Sequence, residues 1–193
     1  MERLGIDPGG IEAIFLTHFH GDHILGLPPF MLHRAFVSPG RPLVIVGQTG
    51  VEEHLERLFE LCWHAEWPHF RELAGYTYDE GRDAGVAAGT PYRTVPLRHG
   101  RTPCRGYRLE LEGRSFVYAG DTQMTPELDR LVEGAEIVVT EATAPGAAQE
   151  EVHTSWEQAQ ELAERHPGTR FLFNHLYSGD TPRSVSDLEV VDV

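Results

Sequence analysis

Short apolar segments that resemble buried strands alternate with helical segments along the whole 193-residue chain. Residues 11–17 (IEAIFLT) and 43–47 (LVIVG) are short and mostly apolar, as strands buried in a sheet are. Each is followed by a stretch with a helical pattern. Strands that alternate with helices in this way build a sheet that the helices cover. The alternation therefore predicts an α/β fold.

The second half of the chain continues this alternation. Further strands are predicted at residues 92–98, 106–111, 115–119, 136–140, 170–174 and 188–193. Gly113, between two of these segments, predicts a hairpin turn. Helices are predicted to begin at Thr125-Pro126 and at Thr154, which has Glu157 three residues later.

Composition limits the class of protein. With 40% hydrophobic residues the chain can form a core, and its length fits a single domain over residues 1–193. No apolar run reaches the ~18 residues of a membrane span, so we expect no membrane association. Cys62 and Cys104 are too few for a disulfide scaffold, which predicts a cytoplasmic protein. A net charge of −14 argues against a protein that coats nucleic acid.

Residues 18–23 read His-Phe-His-Gly-Asp-His directly after the first predicted strand. His18 and His20 are two residues apart, so their side chains leave the same face of an extended chain. Gly21 allows a sharp turn that brings Asp22 and His23 into the same space. Imidazole and carboxylate groups in such a cluster are ligands for borderline divalent metals, foremost zinc.

Further ligand-type residues follow later strands. His99 ends the segment 92–98, Asp121 follows 115–119, and His175 follows 170–174. Functional groups are commonly placed on loops at strand ends, where a rigid sheet holds them. The sequence therefore predicts a metal site with room for two ions, because one tetrahedral ion cannot use all these ligands.

These motifs together resemble the metallo-β-lactamase superfamily, and within it the ribonuclease Z-like branch. Residues 21–28 match the GDHxxGLP pattern of that branch, and His99-Gly100 with residues 106–108 matches its HG and GYR segments. Residues 140–143 (TEAT) and 153–155 (HTS) correspond to its HEAT-type and HST-type segments. The similarity runs from about residue 4 to residue 176.

The resemblance implies a fold and a site. The fold is an αββα sandwich, and the activity is hydrolysis of phosphodiesters with two zinc ions; manganese(II) or iron(II) are alternatives. It implies that one ion is held by His18, His20 and His99, and the second by Asp22, His23 and His175. Asp121 bridges both ions, and a hydroxide between them is the nucleophile. Catalytic roles fall to Asp22, Glu141 and His153, with His153 as the acid for the leaving oxygen.

Two features differ from the pattern of that branch. Few residues precede His18, so we expect the first strands of the N-terminal sheet to be missing. That sheet then either has exposed edges, in a truncated product or fragment, or depends on a partner, and we expect a homodimer. The flexible arm that grips transfer RNA is expected between the GYR segment and residues 120–122, yet only a hairpin fits there. A small phosphodiester, or RNA held in another way, then becomes as reasonable a substrate as a transfer-RNA precursor.

Other interpretations stay open at this point. A thioester or lactam hydrolase of the same fold is one alternative, and a metal-binding but inactive remnant is another. Four arginines near His99 form either an ordinary solvated strand pair or a phosphate clamp. They are Arg98, Arg101, Arg105 and Arg108.

Overall fold

The computed structural model describes residues 5–143, 151–176 and 189–190. The chain divides into two compact units, residues 1–82 with 86–89, and residues 83–85 with 90–193. The prediction of one domain over residues 1–193 stays a prediction. None of the helices in the described ranges is both long enough and apolar enough to cross a membrane.

The first unit contains a three-stranded sheet and four helices. Its elements are β1 (Ala13–Phe15), α1 (Gly21–Ile24), α2 (Leu27–Val37), β2 (Leu43–Gly47), α3 (Val51–Trp63), α4 (Trp67–Ala74) and β3 (Tyr76–Glu80). β2 lies in the centre and runs parallel to both neighbours. A central parallel strand is covered on both faces, which explains its uninterrupted apolar sequence. Its Leu43 and Ile45 lie in a core with Met31, Leu55 and Phe59.

The second unit is built on a seven-stranded sheet in the order β10-β9-β8-β7-β6-β5-β4. Its elements are β4 (Ala84–Ala87), β5 (Thr90–His99), β6 (Thr102–Leu111), β7 (Arg114–Tyr118), α5 (Pro126–Val132), β8 (Ile137–Glu141), α6 (Trp156–Arg165), β9 (Arg170–Asn174) and β10 (Glu189–Val190). β5, β6 and β7 are antiparallel neighbours. β7, β8, β9 and β10 run parallel, with α5 and α6 between successive strands.

This topology sets where the site residues of the second unit lie. β5 is antiparallel to β6, which is antiparallel to β7, so β5 points in the same direction as β7, β8 and β9. The carboxyl ends of all four strands therefore meet at one edge of the sheet. His99, Asp121, Glu141 and His175 stand at or just after these ends.

The sequence predicted the strands better than the helix starts. β2 and β9 have the predicted bounds, whereas α4 and β3 were not predicted. The spacing of Thr49 and Glu52 predicts a helix cap at Thr49, but α3 begins one residue later, after Gly50, whose left-handed φ of 90° turns the chain into the helix. The capping box of α6 is Ser155 with Gln158, because the Thr154 hydroxyl donates to the Thr122 carbonyl instead.

Three local predictions were wrong or partly untested. Gly21 begins helix α1, where a tight loop was expected. The apolar spacing of Val51, Leu55, Phe59 and Cys62 predicts a buried Cys62, but its side chain is exposed, like that of Leu61. Of the strand predicted at 188–193, residues 189–190 form β10 and the rest lies outside the described residues.

The side chain of Arg34 is fully buried in the first unit and binds only backbone carbonyls among the described residues. Its guanidinium donates to Pro8 at 3.2 Å, Ile11 at 3.2 Å, Arg41 at 2.9 Å and Pro42 at 2.9 Å. One cation thus satisfies carbonyls from the segments on either side of α2. A buried charge without its partners is costly, and so are buried carbonyls without a donor.

We expect Arg34→Met to lower the free energy of unfolding by about 3–5 kcal/mol, because the four carbonyls lose their donor. Urea unfolding followed by circular dichroism measures the change. Arg57→Met is the matched control, because the Arg57 side chain is 72% exposed and its ion pair with Glu53 should contribute less than about 1 kcal/mol. Equal midpoints for the two variants would show that the carbonyl contacts of Arg34 do not stabilise the fold.

Candidate metal centre

The first cluster of ligand-type residues follows β1. The His18 ring lies against the rings of His20 and His23, with centroids 4.6 Å and 4.2 Å apart. The Nε2 atom of His23 is 3.2 Å from Oδ2 of Asp22. The structure therefore brings together the four predicted ligands of this unit.

Neighbouring side chains orient the first cluster. The Thr17 hydroxyl is 3.0 Å from Nδ1 of the buried His18. A hydrogen bond at Nδ1 fixes the ring, so that Nε2 is the nitrogen that would coordinate a metal. Phe19, between the two histidines, stacks on His54 of α3 with centroids 4.5 Å apart. Gly21 contributes differently from the prediction: its φ is not positive, and its missing Cβ leaves room for Leu25.

The second cluster is centred on Asp121, which is 3% exposed. Its Oδ2 atom lies 3.4 Å from Nε2 of His175 and 3.9 Å from Nε2 of His99. Two ligands of one tetrahedral zinc ion, each about 2.0–2.2 Å from the metal, are separated by about 3.3–3.6 Å. The spacings are close to that value, and nitrogen with carboxylate oxygen is a donor set that suits zinc. The residues therefore fit a divalent metal ion.

Backbone contacts fix the ligands of the second cluster. Nδ1 of His99 is 3.0 Å from the carbonyl oxygen of Val152, which directs Nε2 towards Asp121. The Cys104 thiol donates to the Asp121 carbonyl over 3.1 Å. The neighbouring Pro103 and Arg105 predict a loop at Cys104, but the residue is buried in β6, and burial raises its pKa to about 12. It is therefore a neutral hydrogen-bond donor rather than a nucleophile.

His175 has an unusual backbone conformation. It follows β9 directly and has a φ of 54°, in the left-handed region that residues other than glycine seldom occupy. Such conformations occur disproportionately at functional sites, where the surrounding structure holds them in place. Here the conformation accompanies the placement of Nε2 beside Asp121 and of Nδ1 3.7 Å from Glu141.

The Glu141 carboxylate is completely buried and surrounded by donors. Oε1 accepts from the backbone N–H of Thr122 at 2.5 Å, and Oε2 accepts from the Thr143 hydroxyl at 2.6 Å. Nδ1 of His153 is 2.8 Å from the same Oε2. Burial alone would raise the pKa of Glu141, but the donors on His153, His175, Thr143 and Thr122 outweigh it and hold the pKa below its ordinary value.

His153 is partly accessible beside the second cluster. Its ring centroid lies 4.8 Å from that of His99 and 5.3 Å from that of His175. The hydrogen bond to Glu141 raises the pKa of His153, against the opposing effect of burial. An imidazolium of raised pKa is suited to hand a proton to a departing oxygen. The predicted pairing of Glu141 with His153 is thus present.

Some contributing residues were missed by the sequence interpretation. Thr17, Thr122 and Thr143 orient ligands or Glu141, and the Val152 carbonyl orients His99. Thr143 had a signal, because it stands two residues after Glu141, within the segment already singled out. The Val152 carbonyl had none, since a backbone group 53 residues from His99 leaves no mark in the sequence.

Comparison with known proteins places the chain in a family. The model of the Beta-lactamase superfamily domain matches residues 2–176. Ribonuclease BN of Erwinia tasmaniensis is 30% identical, over 91% of this chain and 74% of its own length. Ribonuclease Z of Bacillus licheniformis is 28% identical, over 97% of this chain and 76% of its own length.

Solved structures show the same fold. The short form of human tRNase Z superimposes with a TM-score of 0.75 at 22% identity, over 97% of this chain and 78% of that structure. A diphosphatase of the PhnP family gives a TM-score of 0.67 at 23% identity, over 98% and 71%. The predicted α/β metallo-β-lactamase fold is thereby confirmed. The chain belongs to the metallo-β-lactamase superfamily, in its ribonuclease Z-like branch, and is a hydrolase of that fold.

Proposed function

We propose that the protein is a binuclear zinc-dependent phosphodiesterase that cleaves RNA. The observation that carries the proposal is the Glu141–His153 pair, a buried carboxylate joined to an imidazole beside the Asp121 cluster. A phosphodiester needs a proton donor for its leaving alkoxide, and this pair supplies one. RNA as the substrate is supported by the relatives named ribonuclease BN and ribonuclease Z.

The metal assignment is part of the proposal. We assign His18, His20 and His99 to one zinc ion and Asp22, His23 and His175 to the other, with Asp121 shared. Its common Oδ2 contact with His99 and His175 supports the shared role. When bound, such ions supply Lewis-acid activation of water at neutral pH and neutralise phosphate charge. Manganese(II) and iron(II) accept similar nitrogen and oxygen ligands.

Side chains of the protein are proposed to carry out the proton transfer and to hold the reacting groups in place. Protonated His153 donates through Nε2 to the leaving oxygen, because Nδ1 faces Glu141. Glu141 keeps the imidazole oriented and stabilises its positive charge. Asp22, exposed and close to His23, is proposed to act as ligand and catalytic carboxylate together. The Thr122 and Thr143 donors keep Glu141 from rotating away from His153.

The turn between β6 and β7 bears on which RNA is bound. Glu112 and Gly113 alone join the two strands, both with positive φ, as a two-residue hairpin turn requires. The bare hairpin predicted from the sequence is therefore present, and no RNA-gripping arm occupies this place in the described chain. Homodimer formation and a cytoplasmic location stay predictions, and light scattering would test the first.

We expect the purified protein to hold about two zinc ions per chain, because seven ligand-type residues then serve two ions of about four ligands each. Elemental analysis after expression in zinc-supplemented medium measures the content. His99→Ala should lower it, whereas His69→Ala should not, since His69 is exposed on α4. A preparation without any transition metal would contradict the metal assignment.

We expect Asp121→Ala to remove activity on bis(p-nitrophenyl) phosphate completely and to lower the zinc content. His153→Ala should keep its metal and lose about 10²–10⁴-fold in kcat, the usual contribution of a general acid. The comparison needs steady-state kinetics and metal analysis on the same preparations. Equal residual rates with unchanged metal in both variants would contradict the separate roles. Metal without any turnover in the unaltered protein favours an inactive remnant, and turnover of thioesters or lactams alone favours the other hydrolase class.

We expect bis(p-nitrophenyl) phosphate to be hydrolysed readily and precursor transfer RNA to be processed poorly. The small substrate needs only the metal centre and His153, whereas the bare β6–β7 turn offers transfer RNA no arm. Values of kcat/KM measured side by side decide the matter. Efficient cleavage at the 3′ side of the discriminator base at physiological salt would instead identify a transfer-RNA enzyme.

A further inference from the structure

The cations of this chain are all arginines, because the sequence contains no lysine. Most of the arginines that the structure describes are engaged with neighbouring groups. Arg57 pairs with Glu53, Arg114 with Glu136, and Arg165 with Asp129. In a chain of net charge −14, an arginine without a carboxylate neighbour is therefore informative.

Two members of the arginine cluster near His99 have structural roles. Arg105 contacts Asp83 and the Thr94 hydroxyl. Arg108 donates to the carbonyls of Leu131, Glu133 and Gly134 at the end of α5. Neither guanidinium is available to a substrate, so a clamp made of all four arginines is wrong.

Three arginines of the β5–β6 hairpin differ from these. Within the described part of the chain, the guanidinium groups of Arg93, Arg98 and Arg101 have no hydrogen bond or ion pair, and all three side chains are exposed. Arg98 and Arg101 flank the ligand His99 on either side along the chain. Arg93 stands six residues before His99, about 20 Å away along an extended strand.

The hairpin holds Arg98 and Arg101 in fixed positions. His99 pairs with Thr102, so Gly100 and Arg101 form a two-residue turn, with Gly100 at a φ of 55°. The turn lies against Val152, the residue before His153: Nδ1 of His99 is hydrogen-bonded to the Val152 carbonyl, and Gly100 lies beside the Val152 side chain. At its other side the carbonyl of Arg98 accepts from the N–H of Gln123, two residues after Asp121, at 2.6 Å.

We propose that Arg98 and Arg101 bind the RNA phosphates that flank the phosphate being cleaved. The inference rests on the proposed function, which places the cleaved phosphate beside His99 and Asp121. The side chains of Arg98 and Arg101 do not point the same way as that of His99, because Arg98 is the preceding residue of the strand and Arg101 lies in the turn. They are therefore assigned to the neighbouring phosphates and not to the cleaved one. A planar guanidinium on a short rigid turn is well suited to bind phosphate oxygens in pairs.

The test compares arginines of one hairpin. Arg98→Ala and Arg101→Ala are measured against Arg93→Ala, which removes an equally exposed and unpaired arginine far from His99. Binding of a fluorescein-labelled single-stranded RNA is followed by anisotropy at several salt concentrations, in a His153→Ala background where turnover is slow. Hydrolysis of bis(p-nitrophenyl) phosphate, which has no flanking phosphates, is measured for the same three substitutions with His153 in place.

We expect Arg98→Ala and Arg101→Ala each to weaken RNA binding about three- to tenfold, as the loss of one exposed charge-assisted contact does. Each should also reduce the slope of log affinity against log salt by about 0.7, the value for one single-strand phosphate. Arg93→Ala should change neither quantity, and all three should keep their kcat/KM for the small substrate.

Other outcomes overturn the inference or separate it from the proposed function. Equal losses with Arg93→Ala would show that these arginines contribute only general charge. Unchanged RNA binding in all three variants would show that they do not contact the RNA. A parallel loss of bis(p-nitrophenyl) phosphate hydrolysis would show that they act on the metal centre instead. An unaltered protein that hydrolyses no phosphodiester, but whose RNA affinity still depends on Arg98 and Arg101, would refute the proposed function and leave the phosphate contacts standing.

Discussion

The arrangement of side chains at the carboxyl ends of β7, β8 and β9 depends on two buried carboxylates, Asp121 and Glu141. A carboxylate out of water must be surrounded by donors or cations, because its desolvation is otherwise too costly. The parallel strands β7, β8 and β9 end side by side, which brings Asp121, in the loop after β7, close to Glu141 at the end of β8. His175, directly after β9, then lies near both carboxylates. The donors around Glu141, and the metal proposed beside Asp121, both offset the cost of burying a carboxylate.

The two carboxylates differ in what completes their surroundings. Glu141 receives protein donors on both oxygens, from Thr122 on one and from Thr143 and His153 on the other. Asp121 instead has Oδ2 at 3.4 Å from Nε2 of His175 and 3.9 Å from Nε2 of His99, close to the spacing between two ligands of a metal ion. This difference agrees with the separate roles proposed for the two residues, Glu141 in orienting an acid and Asp121 in holding metal, and the structure adds the contacts that distinguish them.

The proposed metal ligands could be found from the sequence because each stands at the end of a predicted strand. That pattern is local, so His18, His99, Asp121 and His175 could be placed at strand ends without knowing the fold. The supporting contacts could not be predicted, since they join segments far apart in the chain, such as Cys104 with Asp121 or His99 with Val152. Likewise, the arginine cluster looked uniform in sequence, and only its neighbours reveal that Arg105 and Arg108 are structural.

The left-handed backbone of His175 has a consequence for how such a site can evolve. A non-glycine residue in this region costs about 1 kcal/mol or more, so glycine would be the more stable choice at this position in the metal-free chain. Selection for folding alone would thus favour glycine, whereas selection for the proposed metal ligand would favour histidine. With His175 as the proposed metal ligand, stability and function oppose each other at position 175, and binding of the metal would offset the conformational cost of this backbone.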